Sequence, residues 1–493
     1  MKTTNKIMCM AAALVLSAGA FAQDYEEEPF EPKLTIGGVA EVSARAWVDE
    51  DNRDSIGNMP VDAAPSLKLN FDYEGSSSIF TGKLKFNKDS LQKGNYKDIL
   101  DEFKATAILD NWTLEAGKMR LVWGKTDKVH VLDNFNANDY SDFLIPDYND
   151  RRIAEPMLRA VYATPFASNL KFEAVYTPVM TPDRLGTGCW TPSAVNTLTQ
   201  NVEKAAGTAL ATALAAPATA PGNALVAASS AMTVKNVSAL SSDSSILYPD
   251  TNKLKYGQAG FRTTFTVGSL DLGASYYYGH LKQPSFKALK FNSAMKSYLS
   301  AGSLSEDEKF LAYDKVQIFG LEGAFITPYW LLSLNSRFEV AYNMTEDTAG
   351  DDPFVHNNSV NWVVGFDRDL PIHNLNLNIQ TQGKYIMNGK KIKDGLLKTY
   401  DVDADPNDCF MNNKIIVDIT DTWNYENVKL DIKGIYGIER KDFILMPSLS
   451  TRVAGNMTIT ASGLYMWCKE EKDSEFVGWQ TNSFAQLSVK YNF

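Results

Sequence analysis

From Leu34 to Phe493 the chain alternates apolar and polar residues with period two, in segments of about 9 to 15 residues. In Pro65 to Glu74, the residues Pro65, Leu67, Leu69, Phe71 and Tyr73 alternate with Ser66, Lys68, Asn70, Asp72 and Glu74. Trp330 to Asn343 repeats the pattern, with Trp330, Leu332, Leu334, Phe338, Val340 and Tyr342 set against Ser333, Asn335, Arg337, Glu339 and Asn343. Val428 to Ile438 does so again. Successive side chains of a strand point to opposite faces, so each segment reads as a strand with one apolar and one wet face. A soluble sandwich alternates too. Length separates the two, because soluble strands usually run about 5 to 6 residues whereas a tilted bilayer crossing needs about 9 to 11.

The connections sharpen this reading. Short ones at 75–77, 110–111, 165–169, 268–269, 327–329, 369–371, 423–427 and 455–456 alternate with long ones that include 122–156, 178–252 and 281–314. Only Glu439 to Asp442 is short where a long connection is due. The expectation is an all-β fold, a transmembrane antiparallel β-barrel of about eighteen strands, sixteen being the alternative, with short helices in the long outer loops. Trp112, Trp123, Trp330, Trp362, Tyr465, Trp467 and Tyr491 lie near strand ends on the apolar face, where a membrane barrel places its interfacial aromatics.

The first 22 residues have the form of a signal peptide: Lys2 and Lys6, the apolar run Ile7 to Ala18, then Ala20-Phe21-Ala22. Cleavage there predicts a mature start at Gln23, an acidic periplasmic segment over 23–33 and one barrel over 34–493. Cys9 leaves with the signal, and the widely spaced Cys189, Cys409 and Cys468 outline neither a disulfide framework nor a zinc site. The net charge is −11, no basic stripe is concentrated anywhere, and nucleic acid is excluded as a partner. Ala205 to Val234 carries no charge, yet it is rich in Ala, Thr and Ser and broken by Pro217, Pro221 and Gly222, so it is too polar to span lipid as a helix.

Two resemblances follow from particular residues. The terminal stretch Ala485 to Phe493, apolar at alternate positions and ending in Phe493, resembles the last strand of Gram-negative outer-membrane β-barrel (porin-like) proteins, and this implies Phe493 as an assembly signal read by the barrel-assembly machinery. Over Leu114 to Tyr162, the run Gly117 to Gly124 with Trp123-Gly124, followed by Asn136-Ala137-Asn138-Asp139, is similar to a bacterial outer-membrane family of unknown function with a Trp-Gly strand end and an Asn-x-x-Asp loop. That similarity implies outer-membrane location and barrel fold, but no ligand.

Catalytic signatures are missing: HExxH, Gly-x-Ser-x-Gly and the P-loop are all absent, and no enzyme, metal site or cofactor is expected. His130, near Asp127 and Asp133, reads as a solvated loop histidine. Lumen-facing charges are plentiful, with Lys68, Lys83, Lys85 and Lys104 alongside Asp72, Glu74 and Glu102. About eighteen strands enclose more space than side chains can fill, so water or an inserted loop must occupy it. The candidate insert is 122–156, where Asp133, Asp139, Asp142, Asp147 and Asp150 would oppose Arg120, Lys125, Arg151 and Arg152; an exposed outer loop is the alternative. Opposed charges across a narrow aqueous gap select solutes. The leading expectation is therefore a channel for small polar or charged solutes, embedded in outer-membrane lipid and possibly a homo-oligomer. Ligand-gated uptake of hydrophobic compounds beneath a lid of 178–252 and 281–314 is a second expectation. A surface interaction protein using the Ala/Thr/Ser-rich loop is a third.

Overall fold

The computed structural model describes residues 31–48, 61–88, 90, 98–165, 169–220, 222–242, 247–469 and 474–493. The signal sequence read at 1–22 and most of the acidic segment after it lie outside the described residues. Seven strands come first: β1 (Lys33–Trp47), β2 (Val61–Glu74), β3 (Ser78–Phe86), β4 (Leu100–Leu109), β5 (Trp112–Met119), β6 (Glu155–Ala163) and β7 (Lys171–Thr177). Then come β8 (Gln258–Val267), β9 (Leu270–His280), a small two-residue pair β10 (Ser285–Phe286) and β11 (Leu311–Ala312), β12 (Lys315–Ile326) and β13 (Asn335–Thr345). The last seven are β14 (Ser359–Asp369), β15 (Asn376–Ile386), β16 (Met411–Trp423), β17 (Val428–Gly437), β18 (Asp442–Ala454), β19 (Met457–Cys468) and β20 (Phe484–Asn492).

Apart from β10 and β11, these form one antiparallel sheet of 18 strands that closes when β20 pairs with β1, from Val39↔Asn492 to Trp47↔Phe484. Closure leaves no unpaired strand edge, which a lipid environment demands. At the seam, Gly38 and Phe493 exchange backbone hydrogen bonds of 2.9 and 3.1 Å. A Cβ on Gly38 would come within 2.5 Å of the Phe493 ring and 2.6 Å of the Lys68 carbonyl, so the terminal ring is seated only because position 38 is glycine.

Apolar residues cover the outside. Leu34, Ile36 and Val42 on β1, Phe319 and Leu321 on β12, Leu449 on β18, and Leu487, Val489 and Tyr491 on β20 are all exposed. A monomer in water rarely exposes an apolar surface this continuous. Trp112, Trp330, Tyr465, Trp467 and Tyr491 are exposed on the same side. Trp123 is a correction. Strand β5 stops at Met119, the alternation lapses beyond it, and the indole turns inward to a buried position. The reading of 330–343 as one strand is corrected too. A 3-10 turn at Tyr329–Leu331 and left-handed backbone at Leu332 and Ser333 (φ 65° and 48°) delay β13 to Asn335.

The long loops hold the helices α1 (Ser193–Thr219), α2 (Ala224–Ser242) and α3 (Ala288–Ala301). In α1 the hydroxyls of Thr197, Thr199, Thr208 and Thr212 donate to the carbonyls four residues earlier, at 2.9–3.0 Å. A polar, charge-poor sequence thus satisfies its side chains on its own helix. The three helices share a core of Ala206, Leu240, Ala294, Met295, Tyr298 and Leu299, to which Phe310 and Leu311 contribute.

Candidate functional site

Segment 122–156 does not stand outside the barrel. It crosses the interior, and a wall carboxylate grips its first turn. Glu339 on β13 is fully buried; its Oε1 accepts hydrogen bonds from the Lys125 N–H (2.9 Å), the Thr126 N–H (2.9 Å), the Thr126 hydroxyl (2.5 Å) and His130 Nδ1 (2.8 Å). Its Oε2 accepts from Val131 (2.8 Å) and Leu132 (3.4 Å). A buried charge persists only when its lone pairs are met in this way. His130, read from sequence as solvated, is instead buried against Glu339, an arrangement that requires its proton on Nδ1. Gly124 makes the approach possible: at φ 117°, a Cβ there would lie 2.2 Å from Glu339 Oε1.

Beyond this anchor the segment spans the lumen. Asp127 pairs with Arg337 of β13 and accepts from Asn378 of β15 (3.0 Å), both close to the short-turn end of the barrel. Lys128 meets Asp418 of β16 at 2.5 Å. On the return path Asp142 receives Arg45 of β1 (2.6 Å), Asp147 faces Lys433 of β17 (3.5 Å), and Asp150 takes the Lys68 ammonium of β2 (3.0 Å). Trp123, Leu132 and Phe135 pack on the inward-facing Val175, Tyr277, Ile318 and Ala341, which fixes the segment apolarly on one side.

The remaining candidate residues divide by surroundings. Asp133 and Arg152 form an ion pair, both side chains 1 % exposed, inside the base of the loop. Arg152 also donates to the Leu121 carbonyl (2.8 Å) and to Asn136 Oδ1 (3.1 Å). Asn136, from the Asn-x-x-Asp stretch, ties the Leu121 N–H to the Met119 and Ile153 carbonyls and so joins the loop's two ends. Asp139 is held by Arg184 (2.6 Å), while Arg120 binds Asp101 (2.6 Å) and Glu102 (3.4 Å) on β4. Lys125 points toward Asp271 at 3.8 Å, and Arg151 donates to the Leu144 and Pro146 carbonyls. Lys83 pairs with Glu102 (2.5 Å) and Lys104 with Glu115 (2.9 Å). Lys85 makes no ion pair with a described residue, although its charge reaches Asp150.

Two sectors of wall face the segment. From β4 to β12 runs a ladder of alternating charge: Lys104–Glu115, Arg159–Glu115 (2.6 Å), Arg159–Glu173 (2.7 Å), Arg262–Glu173 (3.7 Å) and Arg262–Glu322 (2.5 Å). Its charges are internally matched. The sector of Lys68, Arg45 and Lys433 is different, because each pairs with a carboxylate on the loop. For Asp150, burial presses the carboxyl upward, but the charge and hydrogen bond of Lys68, with Lys85 and Arg120 behind, outweigh it and hold the group below the usual aspartate range.

Above the segment, at the long-loop mouth, lies a cavity of about 1160 Å³ walled by the ends of β13 to β17, the loop itself and the chain around Trp479. Nothing in the sequence pattern singled out this cavity or Glu339. The partners of Glu339 lie more than two hundred residues away, and its polar position on β13 looks like any other lumen residue. Among the described residues no cluster of His, Cys, Asp and Glu could hold a metal ion.

An apolar belt on a closed 18-strand antiparallel sheet, with a charged segment folded into its lumen, defines the fold of a transmembrane β-barrel. No family model matches the chain, and no curated protein does. Among solved structures it is similar to a BenF-like porin from Pseudomonas fluorescens, at 6 % identity and TM-score 0.45, covering 94 % of this chain and 98 % of that one. It is also similar to OccK3 (OpdO) of Pseudomonas aeruginosa, at 10 % identity and TM-score 0.44, covering 93 % and 95 %. A third is Wzi of Escherichia coli, an outer-membrane carbohydrate-binding β-barrel involved in group 1 capsule assembly, at 10 % identity and TM-score 0.42, covering 93 % and 84 %.

Proposed function

We propose that the protein is a porin-type channel for small polar or charged solutes, whose narrowest cross-section is set by segment 122–156. The observation that carries this reading is the grip of Glu339 on the loop, which holds it across the lumen instead of over the surface. Opposite the loop carboxylates Asp142, Asp147 and Asp150 stand Arg45, Lys433 and Lys68, and such facing charges set a transverse field that orients dipolar solutes. Export through the 1–22 signal, delivery by the barrel-assembly machinery through Phe493, and any assembly into homo-oligomers belong to the same proposal.

The test is conductance in planar bilayers. The full chain is expected to insert in discrete steps, and replacing 140–149 with a short glycine linker, which spares the Glu339 anchor, is expected to enlarge each step. Absence of steps in several lipid mixtures overturns the channel. Steps of unchanged size after the replacement overturn the constriction.

A further inference from the structure

The cavity at the long-loop mouth has a lining of particular chemistry. At about 1160 Å³ it exceeds the roughly 300–1,000 Å³ that encloses a drug-sized ligand, so it has room for several small rings. Asn343, Asn361 and Gln382 line it from β13, β14 and β15, and Asn134 lines it from the loop. Asn343 Oδ1 is buried with no hydrogen-bond partner, and Gln382 makes no side-chain hydrogen bond with a described residue. An amide offers two donors and two acceptor sites together, as a hydroxyl offers both roles, whereas a carboxylate only accepts and an ammonium only donates.

The ionic groups nearby are largely matched with each other. Lys414 pairs with Glu475 (2.8 Å), Lys128 with Asp418 (2.5 Å), His356 with Asp403 (2.9 Å), Lys282 with Glu155 (3.6 Å) and Asp133 with Arg152, while the charge of Lys384 acts on Asp403. No concentration of one sign would anchor an ion. Aromatic surface completes the lining. Phe476 and Trp479 stack at 20° with centroids 6.1 Å apart, both half-buried, and Tyr140 and Tyr148 add to the lining from the loop. Burial pushes the Tyr140 phenol up to about 12 and that of Tyr148 further in the same direction, so both remain neutral hydroxyls.

Amides matched to hydroxyls, flat apolar faces and little net charge together describe a surface for a polyhydroxylated ring with C–H faces. We infer that this cavity is a binding subsite for neutral oligosaccharides, at the point where solute would first meet the channel; the delivery role rests on the channel reading above, the binding does not. Hydroxyls exchange hydrogen bonds with Asn343, Asn361 and Gln382, while ring faces lie against Phe476 and Trp479. Charged sugars gain nothing from the paired ionic groups.

The experiment titrates the detergent-solubilised full chain with maltotriose, cellotriose and xylotriose, following tryptophan fluorescence and calorimetric heat, with trigalacturonate as the anionic control. At least one neutral trisaccharide is expected to bind saturably in about the millimolar range and more tightly than trigalacturonate. Gln382→Leu, a wall position outside every apolar cluster, and Phe476→Ala are each expected to weaken binding about tenfold while the barrel keeps its heat-resistant mobility on gels. Absence of saturable binding by all three, tighter binding of the anion, or affinity untouched by both variants overturns the inference. The same sugars added to bilayers separate the two readings. Conductance without sugar binding or block sinks the subsite and leaves the channel, whereas binding without conductance sinks the channel and leaves the subsite.

Discussion

Glu339→Ala is the perturbation with the largest calculable consequence. The carboxylate accepts from four backbone N–H groups, one hydroxyl and one imidazole; when it is removed all lose this acceptor, and the Thr126 hydroxyl turns to another, the Val129 carbonyl. Hydrogen bonds to a charged group contribute about 1.5–3 kcal/mol each, but water entering the lumen replaces part of that total. Truncating one side of a buried charged contact costs about 3–5 kcal/mol, which is the better guide to the net loss. At about 1.4 kcal/mol per power of ten, detachment of the loop's first turn becomes at least 10²- to 10³-fold more frequent. Hydrogen exchange in detergent micelles reads this directly. The amides of Lys125, Thr126, Val131 and Leu132 are expected to lose about two to three decades of protection, while amides of β13 itself, held by the neighbouring strands, keep theirs. Glu339→Gln, which retains one acceptor oxygen but turns an amide NH2 toward N–H donors, is expected to lose about half as much on a logarithmic scale. Unchanged protection at those four amides, or loss spread evenly over the barrel, would refute the idea that this side chain holds the loop.

Other expectations follow from the same geometry. Val340→Arg or Leu69→Arg, on the outer face, should each cost about 2–4 kcal/mol in a refolding titration, whereas Lys68→Ala, which removes one partly exposed ion pair, should cost at most about 1 kcal/mol; equal sensitivity of the two faces would contradict the membrane assignment. Asp147→Asn should shift the permeability ratio toward anions more than Asp139→Asn, because Asp147 is 82 % exposed and loosely paired while Asp139 is bound to Arg184 at 2.6 Å. Because Lys68 holds the Asp150 carboxyl below its ordinary range, its charge and pairing are fully present above about pH 3.9 and lost as pH falls further, so its contribution to the cation-to-anion permeability ratio in reversal-potential measurements should survive mild acid. Gly38→Leu should slow barrel closure in a gel-mobility folding assay by colliding with the Phe493 ring, and normal folding would show that the seam tolerates a side chain there.

The barrel was legible because its cause is local. Alternation in Pro65 to Glu74 and Val428 to Ile438 depends only on the geometry of a single strand, and the alternating lengths of the connections then gave the strand count that the sheet shows. Where that local cause lapses, the reading lapsed with it. Trp123 lies past the end of β5, and Leu332 and Leu334 lie before the start of β13, so parity no longer says which way they point.

By itself the sequence determined which face is apolar within the regular strands, which follows from neighbours two residues apart, and, through strand length and the alternation of connections, the antiparallel barrel. Tertiary structure alone decided where segment 122–156 lies and which charges it meets. Asp133 and Arg152, both charged and both on a polar loop, are buried against each other, while Asp147 on the same loop is open to water. No local pattern separates them, because the cost of burying a charge is set by the partner that meets it, and Glu339, Arg45 and Lys68 come from strands far away in the chain.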